Sequence, residues 1–239
     1  MATKTDQLPM ETAGFASDLA GVPSFFIDPE GAAKRVHSKW FWVVALLVTG
    51  IIGIAVGVYM MPMIMHVMDM APIRDGVTQE QQNQGIAISK IVTKVAVYLS
   101  PILATVFWAI TAGILLAICA ISGVNAKFRS LFNLVGGCWL IQSLGSIATA
   151  VILHFKGDIS TQAELKPPMG LDIFLPEGTN KFLMAAAGSF SIFQIWWIVM
   201  MALIFSIAFR VSKGKAFAIV LPIWFIGLLM SLVGAIFQK

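Results

Sequence analysis

Residues 40–65, WFWVVALLVTGIIGIAVGVYMMPMIM, decide the fold, and they contain no charged side chain. A helix needs about 20 mainly apolar residues to cross a hydrocarbon core about 30 Å thick. Residues 40–65 exceed that length, and Trp40 and Trp42 at their start are typical of the membrane–water interface. This stretch therefore predicts a membrane-spanning helix.

The rest of the chain continues the same pattern. Further spans are predicted at about 98–124, 131–155, 184–209 and 216–237. Of the 239 residues, 58% are hydrophobic and only 12% are charged, whereas a soluble domain carries roughly 25% charged residues. We therefore predict an all-α polytopic membrane protein with about five transmembrane helices. A mobile N-terminal tail, residues 1–21, precedes a single membrane domain over residues 22–239.

Amphipathic helices are predicted at the membrane interface before spans one and two. Before span one, Asp28 is the predicted N-cap and Pro29 the first helical residue, with aromatic residues ahead of them and basic residues behind. Before span two, Thr78 and Gln81 match a capping box. The apolar residues that follow recur at helical spacing: Ile88, Ile91, Val92 and Val95. Both segments have the composition of helices that lie on a membrane surface.

The orientation follows from two short loops, NAKFRS (125–130) and RVSKGK (210–215), which contain basic residues and no acid. Positively charged short loops stay in the cytoplasm, so the N-terminus is predicted to be cytoplasmic and the C-terminus outside. Basic residues on the cytoplasmic side form a predicted surface for anionic lipids or membrane-protein partners, here called the basic face. It consists of Lys34, Arg35, Lys39, Lys127, Arg129, Arg210, Lys213 and Lys215.

The sequence predicts no enzyme and no cofactor. None of the predicted spans contains Asp, Glu, Lys or Arg, although proton pumps, ion-coupled transporters and intramembrane catalysts depend on such buried groups. The histidines, His37, His66 and His154, lie near span ends without the spacing of a nucleophile–base pair. Cys119 and Cys138 lie in apolar runs and show neither zinc-type spacing nor a disulfide framework. No basic stretch is interleaved with stacking aromatics, so nucleic acid is not an expected partner.

Two features of the spans have alternative interpretations. Gly53 and Gly57 form a small-xxx-small pattern that favours close helix packing, although glycine is also simply common in membrane helices. The neutral polar residues within the spans include Gln142, Ser143, Ser146, Thr149 and Gln194. These residues predict hydrogen bonds between helices, worth roughly 1 kcal/mol each, and the alternative is a substrate path.

A methionine cluster crowds the outer end of span one: Met60, Met61, Met63, Met65, His66, Met68 and Met70. Thioethers and imidazole both bind copper, and thioethers prefer Cu(I). Methionine also fills irregular apolar gaps, which requires no metal. Only part of the cluster can share one face of a helix.

Three pieces of the chain carry a family resemblance: FFIDPEGAAKRV (25–36), IFQIWW (192–197) and RVSKGKAFAIVLPIWF (210–225). With the amphipathic segment before span two, they resemble bacterial members of the Ypt-interacting-protein (Yip) family of five-span membrane proteins, over residues 22–237. The resemblance implies a bacterial cytoplasmic (inner) membrane location. Eukaryotic Yip proteins act in vesicle trafficking and bind prenylated Rab-type GTPases. Their DLYGP and GYxxxP motifs are absent here, and Ser191 stands where bacterial relatives often have Asp, so no small GTPase partner is expected.

We therefore predict a non-enzymatic membrane protein that organises or assists a membrane process by binding partners or lipids. The alternative is an accessory or permease subunit of a transporter, and a more remote one is a copper-handling membrane protein. Neutral polar groups converging on a cavity favour the transporter subunit, whereas dry, closely packed helices favour the organising protein.

Overall fold

The computed structural model describes residues 14–72, 76–161, 164–165, 167, 169–176 and 178–236, and this part of the chain contains helices and no strands. The helices are α1 (Phe15–Ala20), α2 (Ser24–Ile27), α3 (Pro29–Val36), α4 (Phe41–Asp69), α5 (Gln79–Ile121), α6 (Phe128–Lys156), α7 (Lys181–Gly188), α8 (Ile192–Ala208) and α9 (Lys213–Ile236). A short 3-10 helix, Leu171–Phe174, lies in the loop between α6 and α7. The all-α fold class is confirmed. Residues 1–13 of the predicted tail lie outside the described residues.

Four helices, α4, α5, α6 and α9, are long and apolar enough to cross a membrane. The predicted fourth span is instead a broken pair, because α7 and α8 meet at an angle of 46°. A new helix starts at Ser191, whose hydroxyl accepts a hydrogen bond from the Gln194 backbone N–H at 3.2 Å. Ser189 lies within the break, and its carbonyl accepts a hydrogen bond from the indole N–H of Trp224 at 3.2 Å. Counting the bent pair as one span gives five.

Helix α6 lies at the centre of the bundle and contacts α4, α5 and α8. Its glycines allow large side chains to approach the backbone. A Cβ atom at Gly136 would lie 2.8 Å from the Trp108 ring of α5, and one at Gly145 would lie 3.2 Å from the Phe193 ring of α8. The buried core therefore forms around α6.

Span two and the amphipathic segment before it form a single helix of 43 residues, about 65 Å long at 1.5 Å per residue. The predicted capping box at Thr78 and Gln81 starts it, and the helix continues through Pro101. The amphipathic segment and span two, which were predicted to meet near residue 98, are therefore one continuous helix. Lys90 contacts the Asp69 carboxylate at 2.6 Å and fastens the first part of α5 to the end of α4. The apolar residues of the segment remain exposed, as the amphipathic pattern predicts.

The N-terminal helices pack against the bundle, and their predicted position at the membrane interface stays a prediction. Helices α2 and α3 contact α6 and α8. Phe25 has an exposure of 0%, and its ring stacks on Phe41 with centroids 4.6 Å apart and an interplanar angle of 15°. It lies against the backbone of Gly137, where a Cβ atom would overlap the ring. Asp28 caps α3 as predicted by accepting the Gly31 backbone N–H at 3.0 Å.

Candidate functional site

The basic face lies at one end of the bundle, where contacts tie the ends of several helices together. His37, just after α3, has Nδ1 3.1 Å from the Ser130 hydroxyl of α6 and Nε2 3.2 Å from the Ala208 carbonyl of α8. Arg129 donates from Nη2 to the Ser38 carbonyl at 3.0 Å. The two short basic loops and the end of α3 therefore meet on the same side.

Asn133, near the start of α6, holds the turn between α3 and α4. Its side chain is fully buried, and its amide donates to the carbonyl of Val36 at 2.9 Å and to the carbonyl of Ser38 at 2.8 Å. The Val36 carbonyl, at the end of α3, has no partner within that helix, so Asn133 satisfies a group that would otherwise be left unpaired. The Ser38 carbonyl accepts from both Asn133 and Arg129. The sequence did not predict this hydrogen bonding, although an asparagine within an apolar span indicates a buried polar contact.

Arg35, a predicted member of the basic face, is only partly exposed and pairs with another side chain of the protein. Its guanidinium lies 3.4 Å from the fully buried carboxylate of Asp18 and donates to the Ser17 hydroxyl at 2.8 Å. Ser38 donates to the other carboxylate oxygen of Asp18. A buried carboxylate requires such partners. Residues 15–20, predicted as part of the mobile tail, are thus helical and linked to the α3–α4 turn.

The other members of the basic face have exposed side chains. These are Lys34, Lys39, Lys127, Arg129, Arg210, Lys213 and Lys215. Lys39 lies over the Trp40 ring, 5.2 Å from its centroid. Acidic residues with exposed side chains at this end, among the described residues, are Asp28 and Glu30 next to α3. The surface at this end is therefore predominantly positive.

A cavity of about 460 Å³ lies between the helices, with residues of α4, α5, α6, α8 and α9 in its walls. Its aromatic walls are Phe107, Trp139 and Trp197. Its polar lining residues are Thr49, Ser100, Gln142, Ser143, Ser146 and Gln194, and within the described part of the chain no charged residue or histidine lines it. Gln142 lies 14 residues after the start of α6, about 21 Å along that helix. The cavity therefore lies about halfway along α6.

Gln142 and Gln194 join α6 to α8 at this cavity. The Gln142 amide donates to the Gln194 side-chain oxygen at 3.0 Å, which confirms the predicted interhelical bond for this pair. The prediction is wrong for three hydroxyls of α6, since each donates to a carbonyl of its own helix four residues earlier. These are Ser143 to Trp139, Ser146 to Gln142 and Thr149 to Gly145, at 3.4, 3.2 and 3.0 Å. Short polar side chains reach their own helix backbone more easily than a neighbouring helix.

Gly53 and Gly57 both face α5. A Cβ atom at Gly57 would lie 2.8 Å from the Val97 side chain, too close for a real contact. One at Gly53 would lie 3.4 Å from the Ser100 hydroxyl, an ordinary contact. Of these two positions, Gly57 is therefore the one at which the α5 side chain leaves no room for a Cβ atom.

The methionine cluster divides between apolar packing and the surface. Met60 and Met63 pack against buried Val67 and Leu153, whereas His66 is exposed. The described residues hold no group of three or more His, Cys, Asp or Glu side chains that could bind a metal ion. A thioether site for Cu(I) stays a prediction.

The family of the chain follows from a comparison with known proteins. The family model of the Yip1 domain matches residues 24–235. The chain belongs to the Yip1 domain family. The match starts with α2 and ends in α9, so the docked helices α2 and α3, the broken pair α7–α8 and the cavity all lie inside the domain. No curated protein and no solved structure matches this Yip1-domain protein.

Proposed function

We propose that this Yip1-domain protein organises or assists a membrane process without catalysis, by binding anionic lipids or membrane-protein partners at its basic face. In this proposal the chain spans a bacterial inner membrane five times, with α7–α8 as one span, a cytoplasmic N-terminus and an external C-terminus. The observation that carries the proposal is the set of exposed basic side chains, which three separate segments of the chain bring to one end of the bundle.

Electrostatic attraction sets the expected strength of anionic-lipid binding at the basic face. A basic residue close to an anionic membrane surface contributes about 1 kcal/mol of attraction, and the attraction declines over a Debye length of about 8 Å at physiological salt. Arg35 does not belong to the binding set in this proposal, since its guanidinium is committed to Asp18. Neutralising Arg35 would disturb folding, so a clean test leaves it in place.

The test uses the double variant Lys34→Gln, Lys39→Gln, which keeps Arg35 and both basic loops. The protein is reconstituted in nanodiscs that contain brominated phosphatidylglycerol in a phosphatidylcholine background. Quenching of tryptophan fluorescence then reports the anionic lipid at the protein surface. The wild type should enrich phosphatidylglycerol, and the double variant should need about thirtyfold more of it for the same quenching, since two residues contribute about 2 kcal/mol. High salt should weaken the wild-type response.

The matched control is Lys94→Gln, Lys156→Gln, which removes the same charge from the opposite end of the bundle. This control should retain the wild-type enrichment at the basic end. Equal responses of the wild type and both double variants would overturn lipid binding at the basic face. Co-purification of membrane proteins that depends on Lys34 and Lys39 would support the partner form of the proposal.

A second candidate function is an accessory or permease subunit of a transporter, which the cavity favours because neutral polar side chains from several helices converge on it. A water-filled cavity is the feature that separates this candidate from an organising protein. A Ser146→Cys variant in sealed vesicles should react with a small hydrophilic thiol reagent if water fills the cavity. Reaction with an apolar maleimide alone would contradict a hydrophilic path.

A further inference from the structure

The cavity lining restricts the chemistry of any molecule bound inside it. None of the described residues that line the cavity is charged or a histidine, so these residues would not compensate a charge taken out of water. Apart from the six polar residues named above, the lining residues are glycine, alanine, isoleucine, proline, phenylalanine and tryptophan. A volume of about 460 Å³ falls within the 300–1,000 Å³ range typical of small-molecule sites. The lining therefore suits an uncharged molecule with a mostly apolar body.

The Gln142–Gln194 pair supplies one polar anchor within this apolar lining. Their mutual hydrogen bond uses the amide nitrogen of Gln142 and the oxygen of Gln194. The oxygen of Gln142 and the amide nitrogen of Gln194 have no hydrogen-bond partner among the described residues, and neither atom is fully buried. If both side-chain amides are flipped, the oxygen and nitrogen exchange places in each residue. The pair then still offers one acceptor and one donor group.

We propose that the cavity binds a neutral lipid whose polar group is a hydroxyl. The hydroxyl donates to the amide oxygen of one glutamine and accepts from the amide nitrogen of the other, so it pairs both groups that the Gln142–Gln194 bond leaves open. The hydrocarbon chain lies against Phe107, Trp139 and Trp197. An ester carbonyl could only accept, and a carboxylate or phosphate would bring an unpaired charge into the bundle. This site lies away from the basic face and does not depend on it.

Photolabelling tests the proposal with the full-length protein in nanodiscs. The probe is hexadecanol with a diazirine in its chain, and the comparison probe is the corresponding diazirine-bearing hexadecane, which lacks the hydroxyl. The alcohol should label peptides of α6 and α9 next to the cavity about tenfold more than the alkane, the factor expected for the hydrogen bonds that the hydroxyl gains. Unlabelled hexadecanol should compete for this labelling.

Two glycines of α9 provide a matched pair of variants. A Cβ atom at Gly227, which lines the cavity, or at Gly234, two turns further along, would meet no other atom within 4 Å. Both substitutions should therefore fold, and only Gly227→Leu fills the cavity. Gly227→Leu should reduce alcohol labelling about tenfold, whereas Gly234→Leu should leave it unchanged. The double variant Gln142→Leu, Gln194→Leu should reduce alcohol labelling to the level of the alkane.

Equal labelling by alcohol and alkane in the wild type would overturn the hydroxyl site and show a cavity that takes any hydrocarbon chain. An equal loss of labelling in Gly227→Leu and Gly234→Leu would place the label on the outer surface of α9 and also overturn the site. Lys34→Gln, Lys39→Gln should leave the labelling unchanged. The experiments can therefore refute the lipid-binding proposal for the basic face and the proposal for the cavity independently of each other.

Discussion

Replacing Phe25 with alanine is expected to release the N-terminal helices from the bundle. Phe25 is fully buried, stacks on Phe41 and lies against Gly137, so no neighbouring side chain can easily fill the space it would leave. Removal of a buried phenylalanine side chain costs about 3–5 kcal/mol. At the lower end of that range, the population with α2 and α3 undocked rises about 100-fold, since 1.4 kcal/mol corresponds to a factor of ten.

Limited trypsin digestion in nanodiscs measures this population through cleavage after Arg35, which the docked helix α3 and the Asp18 contact protect. Where undocking and redocking are faster than cleavage, the cleavage rate follows the undocked population. Ile27→Ala is the control, because Ile27 lies two residues away and is 82% exposed. Its cleavage rate should match that of the wild type. Equal rates for Phe25→Ala and Ile27→Ala would refute the view that Phe25 anchors the segment.

Four further outcomes are expected. Gly57→Leu should destabilise the protein in detergent by about 1–3 kcal/mol through overpacking against α5, while Gly53→Ala should leave the melting temperature nearly unchanged, and equal melting curves would contradict the close approach. Asn133→Leu should cost about 1–3 kcal/mol by leaving the Val36 carbonyl without a donor and removing one of two donors to the Ser38 carbonyl, and an unchanged melting temperature would contradict that role. Cysteine replacing Gly214 should resist an impermeant thiol reagent on intact cells, whereas cysteine at Thr161 should react, and the reverse pattern would invert the topology. If the methionine cluster binds copper, the purified protein should retain Cu(I) and not Mg²⁺ against a moderate chelator, and loss of Cu(I) to the chelator would end that hypothesis.

Features encoded by neighbouring residues were predictable. Hydropathy located the membrane helices, because length and apolar composition are local properties. The helix starts at Asp28 and Thr78 were also predictable, since a cap depends on a side chain and a backbone N–H within three residues. The break at Ser191 uses the same kind of local signal, but a serine inside an apolar run does not by itself distinguish a new helix from a continuing one.

Features formed by distant residues were not predictable. Asp18 and Arg35 are separated by 17 positions and Asn133 and Val36 by 97, so their pairing depends on how the helices pack. Arg35 has the same local context as Lys34, yet Arg35 is only partly exposed and pairs with Asp18, whereas Lys34 is exposed. The cavity needs residues from five helices. No single stretch of sequence contains it, although Gln142 and Gln194 are visible as neutral polar residues in apolar surroundings.

The length of α5 has a mechanical consequence. Pro101 lines the cavity and lies 22 residues from the start of the helix at Gln79, so the segment before it is a rod about 33 Å long. Proline removes one backbone hydrogen bond where α5 passes the cavity. A change of direction of about 10° there would swing the far tip by about 6 Å, given the rise of 1.5 Å per residue. A small rearrangement beside the cavity would thus be magnified at the Gln79 end of α5, limited by the packing of Val97 against Gly57 and by the Lys90–Asp69 contact.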